Sequence, residues 1–157
     1  MYRKILVPLD GSKMAECVIP HVKNIAKGAE GTEIVLFRVC EPPVILADYP
    51  SSLKADWAAH VKEETEHAQE QCSLYLGNAE KNLREAGFKT TTQSGLGKPA
   101  EEIVNYSVAN GVDLIVMATH GRSGVTRWAF GSIADKVLRS SPVPVMVVRP
   151  EECKEGM

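Results

Sequence analysis

A glycine-rich segment between an apolar run and an amphipathic run contains the residues best suited to binding chemistry. Residues 117–133 include Gly121, Gly124 and Gly131, and Ser132 follows the last of these at the start of the amphipathic run 133–138. The apolar run 113–117 predicts a buried strand. A glycine-rich loop between a strand and a helix can turn several backbone N–H groups toward one point, beside the positive end of the helix. The pattern therefore predicts a phosphate site in a nucleotide-binding domain.

A second polar turn, Asp10-Gly11-Ser12, follows the apolar run 5–9, which also predicts a buried strand. Ligands of open parallel sheets bind beyond the carboxyl ends of the strands. If the strands at 5–9 and 113–117 are neighbours, their two loops face each other across one crevice. Asp10 could then accept hydrogen bonds from ribose hydroxyls or help to hold a divalent cation. The alternative, that this turn merely caps the next helix through Ser12, stays open.

Strand and helix patterns alternate along the chain. Strands are predicted at residues 5–9, 33–39, 88–94, 113–117 and 143–148. A first helix follows Ser12 and extends to Ala26, and Pro20 inside it is expected to kink it or to remove a hydrogen bond. Further helices are predicted at 57–86, 100–110 and 133–139. Residues 41–56, which contain three prolines, are predicted to form a loop. This alternation predicts an α/β fold with a parallel sheet and helices on both faces.

The helix predicted at 57–86 carries an apolar stripe, and Gly87 is suited to its carboxyl-terminal cap. The residues assigned to this stripe are Trp57, Val61, Ala68, Cys72, Tyr75, Ala79, Leu83 and Ala86. Pro99 is suited to the first turn of the helix at 100–110.

Composition restricts the function classes. The chain has 157 residues, which fits one domain, predicted at 1–150 with a polar tail at 151–157. Its net charge of −2 argues against nucleic acid and anionic membranes as partners. No apolar run approaches the roughly 18 residues needed for a membrane span, and the first residues do not resemble a signal peptide. A cytoplasmic protein is therefore expected, and its four cysteines are expected to stay reduced, with Cys17 and Cys72 in the core.

Three other segments partly match motifs of different function. Residues 95–98 resemble part of a phosphate-binding Walker loop, but Thr92 stands at its first glycine position and Pro99 follows the lysine. Val125 interrupts a hydrolase-type Gly-x-Ser-x-Gly elbow around Ser123. His60, Glu64 and His67 lie on one helical side at metal-binding spacing, although a solvated helix surface is the favoured interpretation.

Five segments together resemble the universal stress protein family. They are Val7-Pro8-Leu9-Asp10-Gly11-Ser12, Gly97-x-Pro99-Ala100-Glu101-Glu102-Ile103, Ala118-Thr119-His120-Gly121-Arg122-Ser123-Gly124, Gly131-Ser132 and Pro142-Val143-Pro144-Val145. They cover essentially the whole chain in the family's order. The resemblance implies an open, doubly wound, Rossmann-like sheet with strand order 3-2-1-4-5. It also implies a homodimer formed through the last strand.

The ATP-binding branch of this family has the pattern Gly-x2-Gly-x9-Gly-Ser/Thr, which this sequence matches from Gly121 to Ser132 but not at Ala118. The resemblance assigns Pro8, Asp10 and Val39 to the adenosine end of a site for ATP with Mg²⁺. It assigns Met117, Ala118, Thr119, His120 and Gly121 to the loop after the fourth strand, followed by Arg122 and Ser123. It assigns Gly131, Ser132 and Ile133 to the phosphates. Arg122 and Arg127 either brace the terminal phosphate or face water.

Three functions follow as hypotheses. The first is a cytoplasmic ATP-binding stress-response module that hydrolyses ATP slowly at most. The second is a nucleotide-free dimeric interaction module of the same fold, which Ala118 favours, whereas Gly121, Gly131 and Ser132 favour the first. The third is a nucleotide-dependent enzyme, although the sequence contains no convincing set of catalytic residues for phosphoryl transfer.

Overall fold

Five parallel strands form the central sheet of the protein. The structure is a computed structural model, and it describes residues 1–41, 54–119 and 131–149. The strands are β1 (Lys4–Pro8), β2 (Glu33–Cys40), β3 (Lys89–Leu96), β4 (Leu114–Ala118) and β5 (Val145–Val148). They pair in the order β3-β2-β1-β4-β5, and every pairing is parallel. The predicted fold and strand order are therefore confirmed.

Within these described ranges, five helices connect the strands: α1 (Lys13–Glu16), α2 (Ile19–Lys27), α3 (Lys54–Glu85), α4 (Pro99–Ala109) and α5 (Ser132–Ser140). The prediction of one kinked helix through Pro20 is wrong, since the chain forms α1 and α2 there instead. Proline lacks an N–H donor and is tolerated in a first helical turn, which is where α2 places it. Ser12 caps α1, because its Oγ accepts a hydrogen bond from the Ala15 N–H at 3.1 Å.

The helices cover both faces of the sheet. Alternate side chains of each strand point to opposite faces, so Ile5 and Val7 pack in one apolar cluster and Leu6 packs in another. Helices α1, α2 and α3 contribute side chains to the first cluster, and α4 and α5 contribute to the second. The central strands are apolar on both faces because each face is covered.

Helix α3 differs from its prediction at both ends. Residues 54–56 belong to the helix and not to the predicted loop, while residues 42–53 of that loop lie outside the described residues. Cys72 and Leu83 are buried as predicted, and Leu76, which the stripe omitted, is buried as well. Ala86 is exposed and follows the end of the helix, so its assignment to the stripe is wrong. Gly87 has a φ of 87°, as expected for a cap beyond this helix.

The remaining boundaries lie within two residues of their predicted positions. The last strand begins at Val145 and not at Val143, because the Val143 N–H donates to the Ser141 side chain at 3.1 Å in a turn. Pro99 occupies the first turn of α4, as predicted. No helix within the described residues is both long and apolar enough to cross a bilayer.

Hydrogen bonds close the amino end of the sheet. The Asp113 carboxylate accepts from the backbone N–H groups of Arg3 at 2.8 Å and Lys4 at 2.9 Å. These two bonds hold the pKa of Asp113 below its ordinary value. The Thr32 hydroxyl donates to the Tyr2 carbonyl at 2.7 Å. The first residues of the chain are thereby held against the neighbouring elements.

Candidate functional site

A cavity of about 420 Å³ opens at the carboxyl end of the sheet. The ends of β1, β2 and β4 line it together with the first turn of α5 and part of α3. Small-molecule sites are typically about 300–1,000 Å³ and mostly apolar, with a few polar groups that fix orientation. The cavity therefore has the size and position expected for a ligand site in an open parallel sheet.

Nine of the thirteen predicted site residues line this cavity: Pro8, Asp10, Val39, Met117, Ala118, Thr119, Gly131, Ser132 and Ile133. The other four, His120, Gly121, Arg122 and Ser123, lie outside the described residues. Asp10 of the first predicted loop lines the same cavity as the described residues of the second, because β1 and β4 are adjacent in the sheet.

The turn after β1 presents Asp10 at the cavity. The Asp10 Oδ1 accepts from the Ser12 N–H at 2.9 Å, and Ser12 in turn caps α1. Gly11 has a φ of 88°, and a Cβ at this position would lie 3.0 Å from the Arg38 Nη2. This left-handed conformation favours glycine. The turn therefore caps α1 through Ser12, and the same geometry places the Asp10 carboxylate at the cavity.

Arg38 forms part of the cavity wall beside this turn. Its guanidinium carbon lies 4.9 Å from the centroid of the Tyr75 ring, a cation–π contact. The Tyr75 hydroxyl donates to the Glu16 Oε1 at 2.7 Å. Burial, reinforced by the hydrogen bond to Glu16, raises the pKa of Tyr75, so its hydroxyl stays protonated. Sequence analysis missed Arg38, although a charged residue within the apolar β2 segment is a signal that could have identified it.

The end of β4 and the start of α5, which flank the glycine-rich segment, meet at the cavity. The Gly131 N–H donates to the Thr119 carbonyl at 2.7 Å, so the two ends of residues 119–131 are held together. The Thr119 N–H donates to the Val148 carbonyl at 2.9 Å, which ties the same point to β5. Helix α5 begins at Ser132, and the first N–H groups of a helix have no acceptor within it. The helix start thus offers N–H groups at the cavity.

Ala118, the departure from the glycine pattern, is 9% exposed. It belongs to the apolar cluster that includes Val116 and Val148. Its methyl group therefore has a packing role in the core besides lining the cavity.

Part of α3 also lines the cavity, which the sequence analysis did not predict. Ala68, Gln71 and Cys72 contribute to its wall together with residues from the end of β2. Their positions depend on how α3 packs against the sheet, and the helical pattern of the sequence does not determine that packing.

The structure also joins Cys40 to Cys72 in a disulfide. The expectation that all four cysteines stay reduced is wrong for this pair, which is 32 residues apart in sequence. The packing of α3 against β2 brings their Cα atoms to 6.5 Å, a separation that permits a disulfide. Cys17 is buried, as predicted, and Cys153 lies outside the described residues. The described residues contain no group of three or more His, Cys, Asp or Glu side chains that could hold a metal ion.

Comparisons with known proteins agree with this architecture. Residues 1–149 match the model of the universal stress protein family. Universal stress protein MJ0577 of Methanocaldococcus jannaschii is 34% identical over 156 residues, covering 95% of this chain and 96% of the relative. Universal stress protein MJ0531 of the same organism is 32% identical over 149 residues, covering 95% and 83% of the two chains.

Solved structures give the same result. The structure of MJ0577 superposes with a TM-score of 0.81 at 31% identity, covering 95% of this chain and 96% of that one. A universal stress protein solved in complex with cAMP superposes with a TM-score of 0.57 at 18% identity, covering 95% and 98% of the two chains. At that identity the second likeness concerns the fold alone. Because the family model spans nearly the whole chain, this protein belongs to the universal stress protein family.

Proposed function

We propose that this chain is a cytoplasmic ATP-binding universal stress protein that acts as a homodimeric regulatory module in stress response. The observation that carries the proposal is the convergence of nine predicted site residues on one cavity. A relative of the same fold solved in complex with cAMP supports nucleotide binding by the family. ATP with Mg²⁺ is the proposed ligand of this chain.

Different residues of the cavity lining suit the base, the ribose and the phosphates of a nucleotide. Val39 and Met117 offer apolar contact to a base, and the Asp10 carboxylate can accept from ribose hydroxyls. The N–H groups at the start of α5 and its positive dipole favour phosphates. Because the Gly131 N–H already donates to Thr119, the N–H groups of Ser132 and Ile133 are the proposed phosphate donors. Asp10 and the Ser132 hydroxyl supply oxygen atoms of the kind that Mg²⁺ prefers.

The test is the melting temperature with and without MgATP, for the native protein and Gly131→Val. A ligand at 100 times its Kd adds about 2.7 kcal/mol, and each kcal/mol raises the melting temperature of a domain of this size by about 2–4 °C. We expect a rise of about 5–11 °C that Gly131→Val abolishes, because the valine side chain intrudes where phosphate must approach the backbone. Gly77→Val is the matched control, since a Cβ at Gly77 on α3 meets open space.

The alternative is a nucleotide-free interaction module, which the methyl group of Ala118 favours. No thermal shift with millimolar MgATP would support this alternative and contradict ATP binding. A slow ATPase is the remaining variant of the proposal. Turnover that persists through purification and disappears in Asp10→Ala would identify it.

The proposed homodimer forms through β5. This strand lies at one edge of the sheet and consists of apolar residues that are mostly only half-buried within the chain. An exposed apolar edge strand is an aggregation risk, and pairing it with a second copy removes that edge. Val145→Lys should shift the mass measured by light scattering from dimer toward monomer. Gln93→Lys places the same charge on the opposite edge strand, β3, and should leave the dimer intact. An unchanged dimer in Val145→Lys would contradict this interface.

A further inference from the structure

The two bonded cysteines lie in the wall of the cavity. Cys40 is the last residue of β2 and Cys72 lies within α3, and both line the cavity. Cys40 is 3% exposed and Cys72 is 4% exposed. Within the described residues, both cysteines border the cavity. Cys17, by contrast, is buried in the core and does not belong to the described cavity lining.

The disulfide joins the two elements at a point where their positions set the shape of the cavity. Cys40 directly follows Val39, and its carbonyl accepts from the Gly97 N–H at 3.4 Å. Among the described residues of α3, Cys72 is the first from the amino end that is buried. Leu76 and Leu83, which follow Cys72 in the helix, are buried in the core. Ala68 and Gln71, which precede it, line the cavity. The bond therefore anchors α3 where it changes from core packing to cavity wall.

We propose that Cys40 and Cys72 form a reversible thiol–disulfide exchange site that is coupled to ligand binding in the cavity. The reaction partner is a low-molecular-weight disulfide. The coupling rests on the proposed nucleotide function, but the exchange chemistry itself depends on the cysteine pair alone.

The exchange conserves atoms and electrons. One cysteine thiolate attacks a sulfur of the small disulfide, forms a mixed disulfide and expels one small thiolate. The second cysteine thiolate then attacks the protein sulfur of this mixed disulfide, which forms the Cys40–Cys72 bond and expels the second small thiolate. The protein pair loses two electrons and two protons in total. The small disulfide is reduced to two thiols, and the reverse sequence reopens the bond.

The bonded form should bind nucleotide more tightly. The bond fixes Ala68 and Gln71 relative to Val39 before the ligand arrives, and a preorganised site loses less conformational freedom on binding. Reduction leaves the cavity residues in place but removes this restraint from the amino-terminal half of α3. Because coupling is reciprocal, nucleotide must favour the disulfide by the same factor by which the disulfide favours nucleotide.

The experiment equilibrates the full chain in buffers of oxidised and reduced glutathione, alkylates the thiols that remain and maps the disulfide by peptide mass. MgATP binding is measured by calorimetry in the two forms. We expect the Cys40–Cys72 peptide pair to open and close reversibly, and the Kd of the bonded form to be lower by about fivefold or more. MgATP should shift the glutathione midpoint toward the disulfide by the matching amount, about 30 mV for a tenfold Kd ratio.

Cys40→Ser and Cys72→Ser should each bind MgATP like the reduced protein in every buffer, whereas Cys17→Ser should retain the difference between the forms. A pair that never closes with oxidised glutathione, or never reopens with reduced glutathione, would overturn the exchange site. Equal Kd values in the two forms would overturn the coupling. Absence of MgATP binding in both forms would overturn the proposed function and the coupling together, while the peptide map would still decide whether the exchange site exists.

Discussion

The amino and carboxyl ends of the strands have different surroundings. At the amino end, the Asp113 carboxylate accepts hydrogen bonds from the backbone of the first residues, and the Thr32 hydroxyl donates one to it. At the carboxyl end, the last residues of β1, β2 and β4 line a cavity. Polar groups at the first end bond backbone groups of the fold, whereas Asp10 and Ser132 at the second line the cavity. Substitutions at the two ends should therefore change different measurements.

The largest effect is expected for Ile115→Ala, in the core between the two ends. Ile115 is fully buried on β4, and truncation of a buried isoleucine costs about 2–5 kcal/mol. The melting temperature should fall by about 4–20 °C, while the Kd for MgATP in the folded protein changes less than about twofold. Calorimetry well below the melting temperature separates these effects. A large rise in Kd would show that the core residue also shapes the site.

The next effect is expected for Asp10→Ala, at the carboxyl end. A hydrogen bond to a charged group contributes about 1.5–3 kcal/mol, so the Kd for MgATP should rise about 10- to 150-fold. Asp10→Asn is the matched variant, because its amide oxygen can still accept from the Ser12 N–H and preserve the turn. It should weaken binding less and leave the melting temperature unchanged. Equal affinity in all three proteins would remove Asp10 from the proposed site.

Ser12→Ala tests whether a residue at the carboxyl end can serve stability alone. The change removes the cap of α1, which should lower the free energy of unfolding by about 1 kcal/mol. The melting temperature should then fall by about 2–4 °C, and Ser12→Thr should restore most of it. Nucleotide affinity should not change. If the Kd rises tenfold without a loss of stability, the contrast between the two ends does not hold at this turn.

The smallest effect is expected for Asp113→Asn, at the amino end. Because folding lowers the pKa of Asp113, its ionised form stabilises the protein above its unfolded pKa of about 3.9, and this contribution is lost as the pH falls through the lower folded value. The native protein should melt slightly above the variant at pH 7, and the difference should shrink below about pH 4. Melting curves across this pH range measure it. A constant difference would indicate that the charge is not responsible, and a changed Kd for MgATP would contradict the separation of the two ends.

Much of the architecture could be predicted because its signals are local. The alternation of apolar strands with amphipathic helices indicated a parallel sheet, and Asp10 and Gly131 were identified because loops after parallel strands bear ligands. The order of the strands came from the resemblance to the family, since periodicity does not determine which strands are neighbours. The division at Pro20 was missed because proline both interrupts a helix and favours the first turn of the next one.

The residues missed in the cavity share one property, which is that their role depends on distant partners. Arg38 lies against Gly11 and Tyr75, and Cys72 meets Cys40 across 32 positions of sequence. The sequence by itself determined the elements, the apolar faces and the two polar turns, because backbone preferences and side-chain periodicity act over a few residues. Only the tertiary structure decided which residues of α3 line the cavity and which cysteines form a disulfide. The reason is that side-chain packing between distant elements determines the position of a helix on a sheet.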